Sequence, residues 1–110
     1  MHAVPDPYAK TIYWHRELPP LDAELMAEHT VEANSSRVAG SLAYGDRLWE
    51  RCHLELMDNA RERLTQEIDR LGGHYAHVLD EAIAPAHDVA TGEAWLHGTF
   101  TYALYRRPTS

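Results

Sequence analysis

The sequence is short of what a disulfide scaffold, a membrane span or a nucleic-acid binder requires. Cysteine occurs once, at Cys52, so no intrachain disulfide can form and a reducing compartment is expected. Apolar runs extend only a few residues, too few for a spanning helix. Met1 to Lys10 hold no basic run followed by an apolar stretch of the kind that directs export. The expectation is a soluble, cytoplasmic protein with no membrane contact. Lysine also occurs once, at Lys10; the other nine of the ten basic residues are arginine, set against 17 acidic residues for a formal net charge of −7. Such a surface repels phosphate backbones. The one compact basic pair, Arg106-Arg107, is of the kind that usually forms a solvated tail, so no nucleic-acid partner is expected.

Glycine and proline, six each, are too few for a low-complexity chain, and 45% hydrophobic with 25% charged residues is globular usage. At 110 residues the chain can bury one core but not two independent ones. A single domain over 1–110 is expected, with an ordered core from about residue 10 to 106 and flexible termini.

Helix and strand periods are both present. KTIYWHRE, residues 10–17, is rich in β-branched and aromatic types and stops at Pro19-Pro20, as a strand would. From Met26 to Asn34 the residues alternate, with Ala27, His29, Val31 and Ala33 on one side and Glu28, Thr30, Glu32 and Asn34 on the other, the pattern of a half-exposed strand. Ser35 to Gly45 reads as a loop. Asp46 then serves as N-cap for a helix to Leu71. Cys52, Leu56, Ala60, Leu64, Ile68 and Leu71 form its apolar stripe, widened by Trp49 and Met57, and Gly72-Gly73 supplies a left-handed C-cap. A strand from His74 to Ala84, a loop from Pro85 to Gly92 and a strand from Glu93 to Arg106 follow. In the last strand Ala94, Leu96, Gly98, Phe100, Tyr102 and Leu104 share one face, the natural partner of the helix. Trp95, His97, Thr99, Thr101 and Tyr105 share the other. The predicted fold is α+β, a two-layer sandwich of order β-β-α-β-β with one long helix on a mainly antiparallel four-stranded sheet.

Candidate chemistry rests on the histidines, eight in all. His74-x-x-His77, followed by His87 and His97, is the best metal pattern; positions three apart on a regular strand point to opposite faces, so the cleaner pair for a divalent ion is His77 with His97 across the closing hairpin, and no carboxylate at ligand spacing strengthens it. Adjacent Cys52 and His53 diverge on a helix, so a core role suits the cysteine better than thiolate chemistry. On a regular strand Glu81 shares a face with Tyr75, His77 and Leu79. Together with Trp95, His97 and Tyr105 these residues would line a polar-aromatic patch on the sheet face away from the helix. A His77/Glu81 acid-base pair is conceivable there, although solvated charge is the commoner outcome. Ser35, Ser36 and Ser41 have no nucleophile-elbow context, and Gly72-Gly73 ends a helix instead of opening one, so neither acyl transfer nor a phosphate cradle is indicated.

From about Leu56 to Tyr105 the elements LTQEIDRLGGHYAHVLDE and GEAWLHGTFTYALY resemble the YbjQ-type family of small bacterial domains, named for heavy-metal binding, and their RcsF-like fold relatives. A more distant similarity is to the YhcN-type small stress proteins. The resemblance implies the fold and a homo-oligomer, and it brings no catalytic residues. The leading expectation is a non-enzymatic module that self-associates or binds a partner through its outer sheet face. A metal-ion or small-ligand binder using His77, Glu81, Trp95 and His97 comes second, and a small enzyme at the same patch third; no cofactor is expected.

The histidines also set a solubility expectation. Charging them as pH falls through about 6.5 cancels most of the negative charge, so turbidity measured from about pH 8 to about pH 5 should pass through a maximum in mild acid. A flat series would contradict this.

Overall fold

The structure, a computed structural model, describes residues 11–40 and 47–108. Its elements are β1 (Ile12–Trp14), β2 (Glu24–Asn34), β3 (Val38–Ala39), α1 (Arg47–Arg70), β4 (Tyr75–His87) and β5 (Glu93–Arg106). The fold is α+β, with one helix and a five-stranded mixed sheet among the described residues. The fifth strand is the two-residue β3, which falls within the segment expected to be a loop and pairs with Ala94 and Glu93 of β5. The Asp46 cap and the two termini lie outside the described residues.

Strand order is β1-β4-β5-β2, with β1 parallel to β4 and the other pairs antiparallel. β5 is therefore paired on both edges. Its alternation sets the core: Ala94, Leu96, Phe100, Tyr102 and Leu104 are buried on one face, under a helix stripe of Leu48, Cys52, Leu56, Ala60, Leu64 and Ile68. The helix lies chiefly over β5 and β2. Met57 and Leu71 flank the stripe as expected, whereas Trp49 stands half out of the core and tilts against the His53 ring, 5.4 Å between centroids. At each buried large apolar residue the gain is about 1.5–3 kcal/mol.

The helix ends as its sequence predicts. Gly72 takes φ 73°, Gly73 N–H donates to Ile68 O at 2.9 Å and Gly72 N–H to Asp69 O at 3.3 Å, the two bonds of a Schellman motif. One polar residue on the buried flank was not foreseen. Glu67 is tied down by Arg70 at 2.6 Å and approached by Arg63 at 3.6 Å.

Two helix side chains hold the end of β2. Asn59 Nδ2 donates to Asn34 O at 2.7 Å, and one turn away Glu55 accepts from Ser36 N–H. The Ser36 side chain and amide hold the Glu55 carboxyl below the usual glutamate range. Because that value is depressed, the stabilisation is present above the ordinary glutamate range and lost as pH falls through the lowered value. Ser35 continues the ladder: its N–H donates to Leu96 O, and its hydroxyl accepts from Leu96 N–H, both at 2.9 Å.

Strand lengths depart from the sequence reading in two places. β1 stops at Trp14 because His15 turns the chain with φ 52°, a left-handed conformation costing about 1–2 kcal/mol in a non-glycine residue. β4 runs on to His87 through Pro85, where a loop was expected; the connection is Asp88 to Gly92, closed by Asp88 N–H to Glu93 O and Gly92 N–H to Asp88 O.

The fully buried Leu64 tests the core. Leu64→Asp places a charge with no partner under the helix and should abolish the cooperative thermal transition followed by circular dichroism. Leu64→Ala should lower stability by about 2–5 kcal/mol in a denaturant titration. Wild-type behaviour of Leu64→Asp would show that this face of α1 is not packed.

Candidate functional site

The chain leaves β1 beside β4 and enters β2 on the far side of β5, so residues 15–23 must cross the sheet. They cross on the side away from the helix. Leu18, Pro19, Pro20, Leu21 and Ala23 line a cleft of about 380 Å³ with His77, Leu79 and Tyr105. This crossover buries one end of the outer face, where Tyr13, Tyr75, His77 and Ala103 are all nearly inaccessible. Tyr13 and Tyr75 meet edge to face at 6.1 Å, and Arg107 Nε donates to Tyr75 Oη at 3.2 Å.

His77 is the anchor of that end. Its Nε2 lies 2.6 Å from His15 O, and a carbonyl only accepts, so Nε2 carries the proton. The bond fixes the strained His15 from one side while His15 N–H donates to Val78 O at 2.8 Å from the other. His77 thus holds the crossover against the sheet, and its Nε2 is committed to that bond.

The other end of the outer face is organised differently. Arg37 lies 4.3 Å from the centroid of the half-exposed Trp95 ring and reaches Asp88 at 3.3 Å and Glu93 at 3.9 Å. The Asp88 carboxyl is drawn below the usual range chiefly by the Ala90 amide, with Thr91 and Arg37 adding to it. His97 Nδ1 is 2.7 Å from Asn34 Oδ1, and Nε2 is 3.5 Å from Glu32 Oε1.

The six residues singled out from sequence therefore occupy three places. Tyr75, Tyr105 and His77 lie together under the crossover, with Tyr75 directly opposite Tyr105. Trp95 and His97 share their face but not their neighbourhood. His77 pairs with Ala103, six residues along β5 from His97, so the two histidines are about 20 Å apart and cannot share an ion. No group of three or more His, Cys, Asp or Glu side chains disposed to hold a metal occurs among the described residues.

Glu81 is a correction. The ladder slips between Val78 and Asp80, leaving Leu79 as an extra residue, so Glu81 falls opposite Phe100 on the helix side. A slip of one residue exchanges the faces of everything beyond it. Glu81 instead faces His15, with 3.4 Å between Oε1 and Nε2, and its Oε2 has no hydrogen-bond partner among the described residues. The two members of the conceivable His77/Glu81 pair are divided between the two faces of the sheet.

The slip also exposes what sequence reasoning missed. Leu18 is 70% exposed, Leu21 99%, Leu25 61% and Leu79 44%. Three of them line the cleft, and Leu25 stands opposite Tyr105 on the same face. Four exposed leucines around one cleft form a contiguous apolar surface, which a protein does not usually leave in water. Leu18 and Leu21 flank the Pro19-Pro20 turn and carried no periodic signal.

No family model matches the chain, and no curated protein or solved structure matches it. No helix among the described residues is long and apolar enough to cross a membrane.

The separation of His77 from His97 predicts independence. The stability losses of His77→Ala and His97→Ala should add in the double variant to within about 0.5 kcal/mol by denaturant titration. A coupling well beyond that would mean the two side chains share a ligand or a network.

Proposed function

We propose that this chain is a non-enzymatic module that self-associates through the outer face of a two-layer helix-on-sheet sandwich, using the leucine-rich end covered by the crossover. The observation that carries the reading is the grouping of exposed Leu18, Leu21 and Leu79 around one cleft, with exposed Leu25 beside it opposite Tyr105. Leu21 projects almost wholly into solvent beside that cleft. A protruding side chain next to a hollow is self-complementary under a two-fold axis, because one copy's knob can enter the other copy's hole.

The buried ends of this surface are rigid. Tyr13 and Tyr75 pack edge to face, and His77 is held by its bond to His15, so the surface needs little ordering on association. Among the described residues no hydrogen bond joins a serine, threonine or cysteine side chain to a histidine or carboxylate side chain of this surface. The remaining imidazole-carboxylate contacts, His15 with Glu81 and His97 with Glu32, involve partly or well exposed side chains in separate places.

Sedimentation at micromolar concentration should find a dimer or larger closed assembly. Leu18→Glu with Leu21→Glu should weaken association at least about tenfold while leaving monomer stability within about 0.5 kcal/mol, since both side chains are exposed. A wild-type chain that stays monomeric across that range removes the reading.

A further inference from the structure

A second surface lies on the opposite edge of the sheet from β1. β2 is the terminal strand, and its outer edge has no strand partner among the described residues. The phase of its ladder follows from Ser35, which exchanges bonds with Leu96. Backbone groups alternate in direction along an antiparallel strand, so Val31 and His29 point toward β5 while Glu28, Thr30 and Glu32 direct N–H and C=O off the sheet. Asn34 is in the same phase as these, and its carbonyl is the one that Asn59 reaches across to satisfy.

The two long edges of the sheet are treated differently. Beyond its short pairing with β1, β4 has no partner on that edge from Leu79 to His87 among the described residues, but Pro85 lies opposite Leu96, whose backbone is turned toward β2. The missing N–H of Pro85 therefore falls on the open side of β4, a common guard against strand addition. β2 contains no proline. Beside its edge, on the helix side, Asn34, Asn59, Glu62, Arg63 and Gln66 line a groove of about 400 Å³ with Glu32.

An open ladder flanked by a groove is the arrangement by which a sheet takes up an extended segment. Main-chain bonds fix the new strand, and alternate side chains enter the space against the helix. Charge selects the occupant. Glu28, Glu32 and Glu62 are all exposed along this edge, and Arg63, the one basic residue lining the groove, is turned to Glu67. A second copy of β2 is a poor occupant, because antiparallel pairing centred on Thr30 sets Glu28 of one copy against Glu32 of the other, twice.

We propose that the open edge of β2, with the groove it forms against α1, binds an extended basic peptide segment as an added strand. Thr30 supplies central ladder bonds, Glu28 and Glu32 meet lysine or arginine side chains on the outer face, and the alternate side chains enter the groove against α1. This surface is separate from the leucine-lined cleft, and either can fail without the other.

The test uses the whole chain and a fluorescein-labelled peptide of about seven residues alternating lysine and valine. Its controls are the glutamate-for-lysine counterpart and a version N-methylated at alternate backbone amides. Anisotropy should show saturable binding of the lysine peptide, weakened at least about tenfold in the acidic counterpart and lost in the methylated one. Thr30→Pro removes an outward N–H and the exposed 3.5 Å hydroxyl contact with Thr101 but no ladder bond to β5, so it should keep the wild-type circular dichroism spectrum and abolish binding. Should Thr30→Pro fail to fold, Glu28→Gln with Glu32→Gln serves instead, with an expected loss of roughly tenfold. Leu18→Glu with Leu21→Glu should bind the peptide as the wild type does, whatever its state of association. The proposal is overturned by no binding up to about 1 mM, by equal binding of the acidic or methylated peptide, or by wild-type binding in the edge variants. A change of oligomeric state in Thr30→Pro without peptide binding would make the edge a contact between copies and overturn it as well.

Discussion

Burial of one side of β5 under the α1 stripe is the constraint from which the rest of the structure follows. β5 is the strand with neighbours on both edges over most of its length, and alternate residues from Ala94 to Leu104 reach the helix. Slipping the helix or the strand by one residue would expose Leu96, Phe100, Tyr102 and Leu104 together, at about 1.5–3 kcal/mol each. That penalty outweighs the local costs visible elsewhere. The Tyr102 hydroxyl is buried without a hydrogen-bond partner among the described residues, a cost of about 1–3 kcal/mol, and its ionisation is pushed up first by that burial and then by Glu67. The left-handed turn at His15 costs a comparable amount. Both are tolerated because the packing around them is over-determined.

The parts of this architecture that were legible in the sequence are those where one element's period speaks for itself. The stripe from Cys52 to Ile68 repeats near every fourth residue, and the alternation of β5 from Ala94 to Leu104 is nearly unbroken. The two must cover each other, since no other elements are long enough, and Trp95 and His97 were correctly kept off the helix side. Gly72-Gly73 was readable because only a residue without a side chain adopts φ 73° at little cost. Ser35 shows the opposite case: its hydroxyl takes over a ladder bond from a backbone group, which no period records.

The candidate site was far less legible, and the reason is a single inserted residue. Tyr75 to Glu81 reads as unbroken alternation, but a bulge belongs to a pair of strands, and the one at Leu79 appears only when β4 is laid beside β5. It moves Glu81 to the helix side, while Leu79 stays on the outer side and lines the cleft. The crossover was hidden for a related cause: Leu18 to Ala23 carries turn chemistry, which says that the chain bends but not which face it then covers. Strand order decides that, and strand order is a property of the assembled sheet. Pro85 misled in the other direction, because a proline that would break a central strand is harmless where its missing N–H faces solvent.

The distribution of charge over the finished sheet then has a consistent physical reading. The exposed leucines of the sheet and crossover, Leu18, Leu21, Leu25 and Leu79, lie at the end capped by the crossover, whereas the long edge of β2 carries glutamates at Glu24, Glu28 and Glu32 and the unpaired part of β4 carries Pro85. Acidic residues on an edge disfavour pairing with an identical strand, because like charges fall opposite one another. The proposed apolar contact between copies would thereby fall on the outer face, where it can close under a two-fold axis, and away from the edges, where it would propagate without limit. The same glutamates leave the ladder bonds of β2 intact, so what they disfavour is a second acidic strand and not strand addition itself. The proposed self-association and strand capture are compatible in one thin sheet because the first would use side chains of the outer face and the second the backbone of an edge.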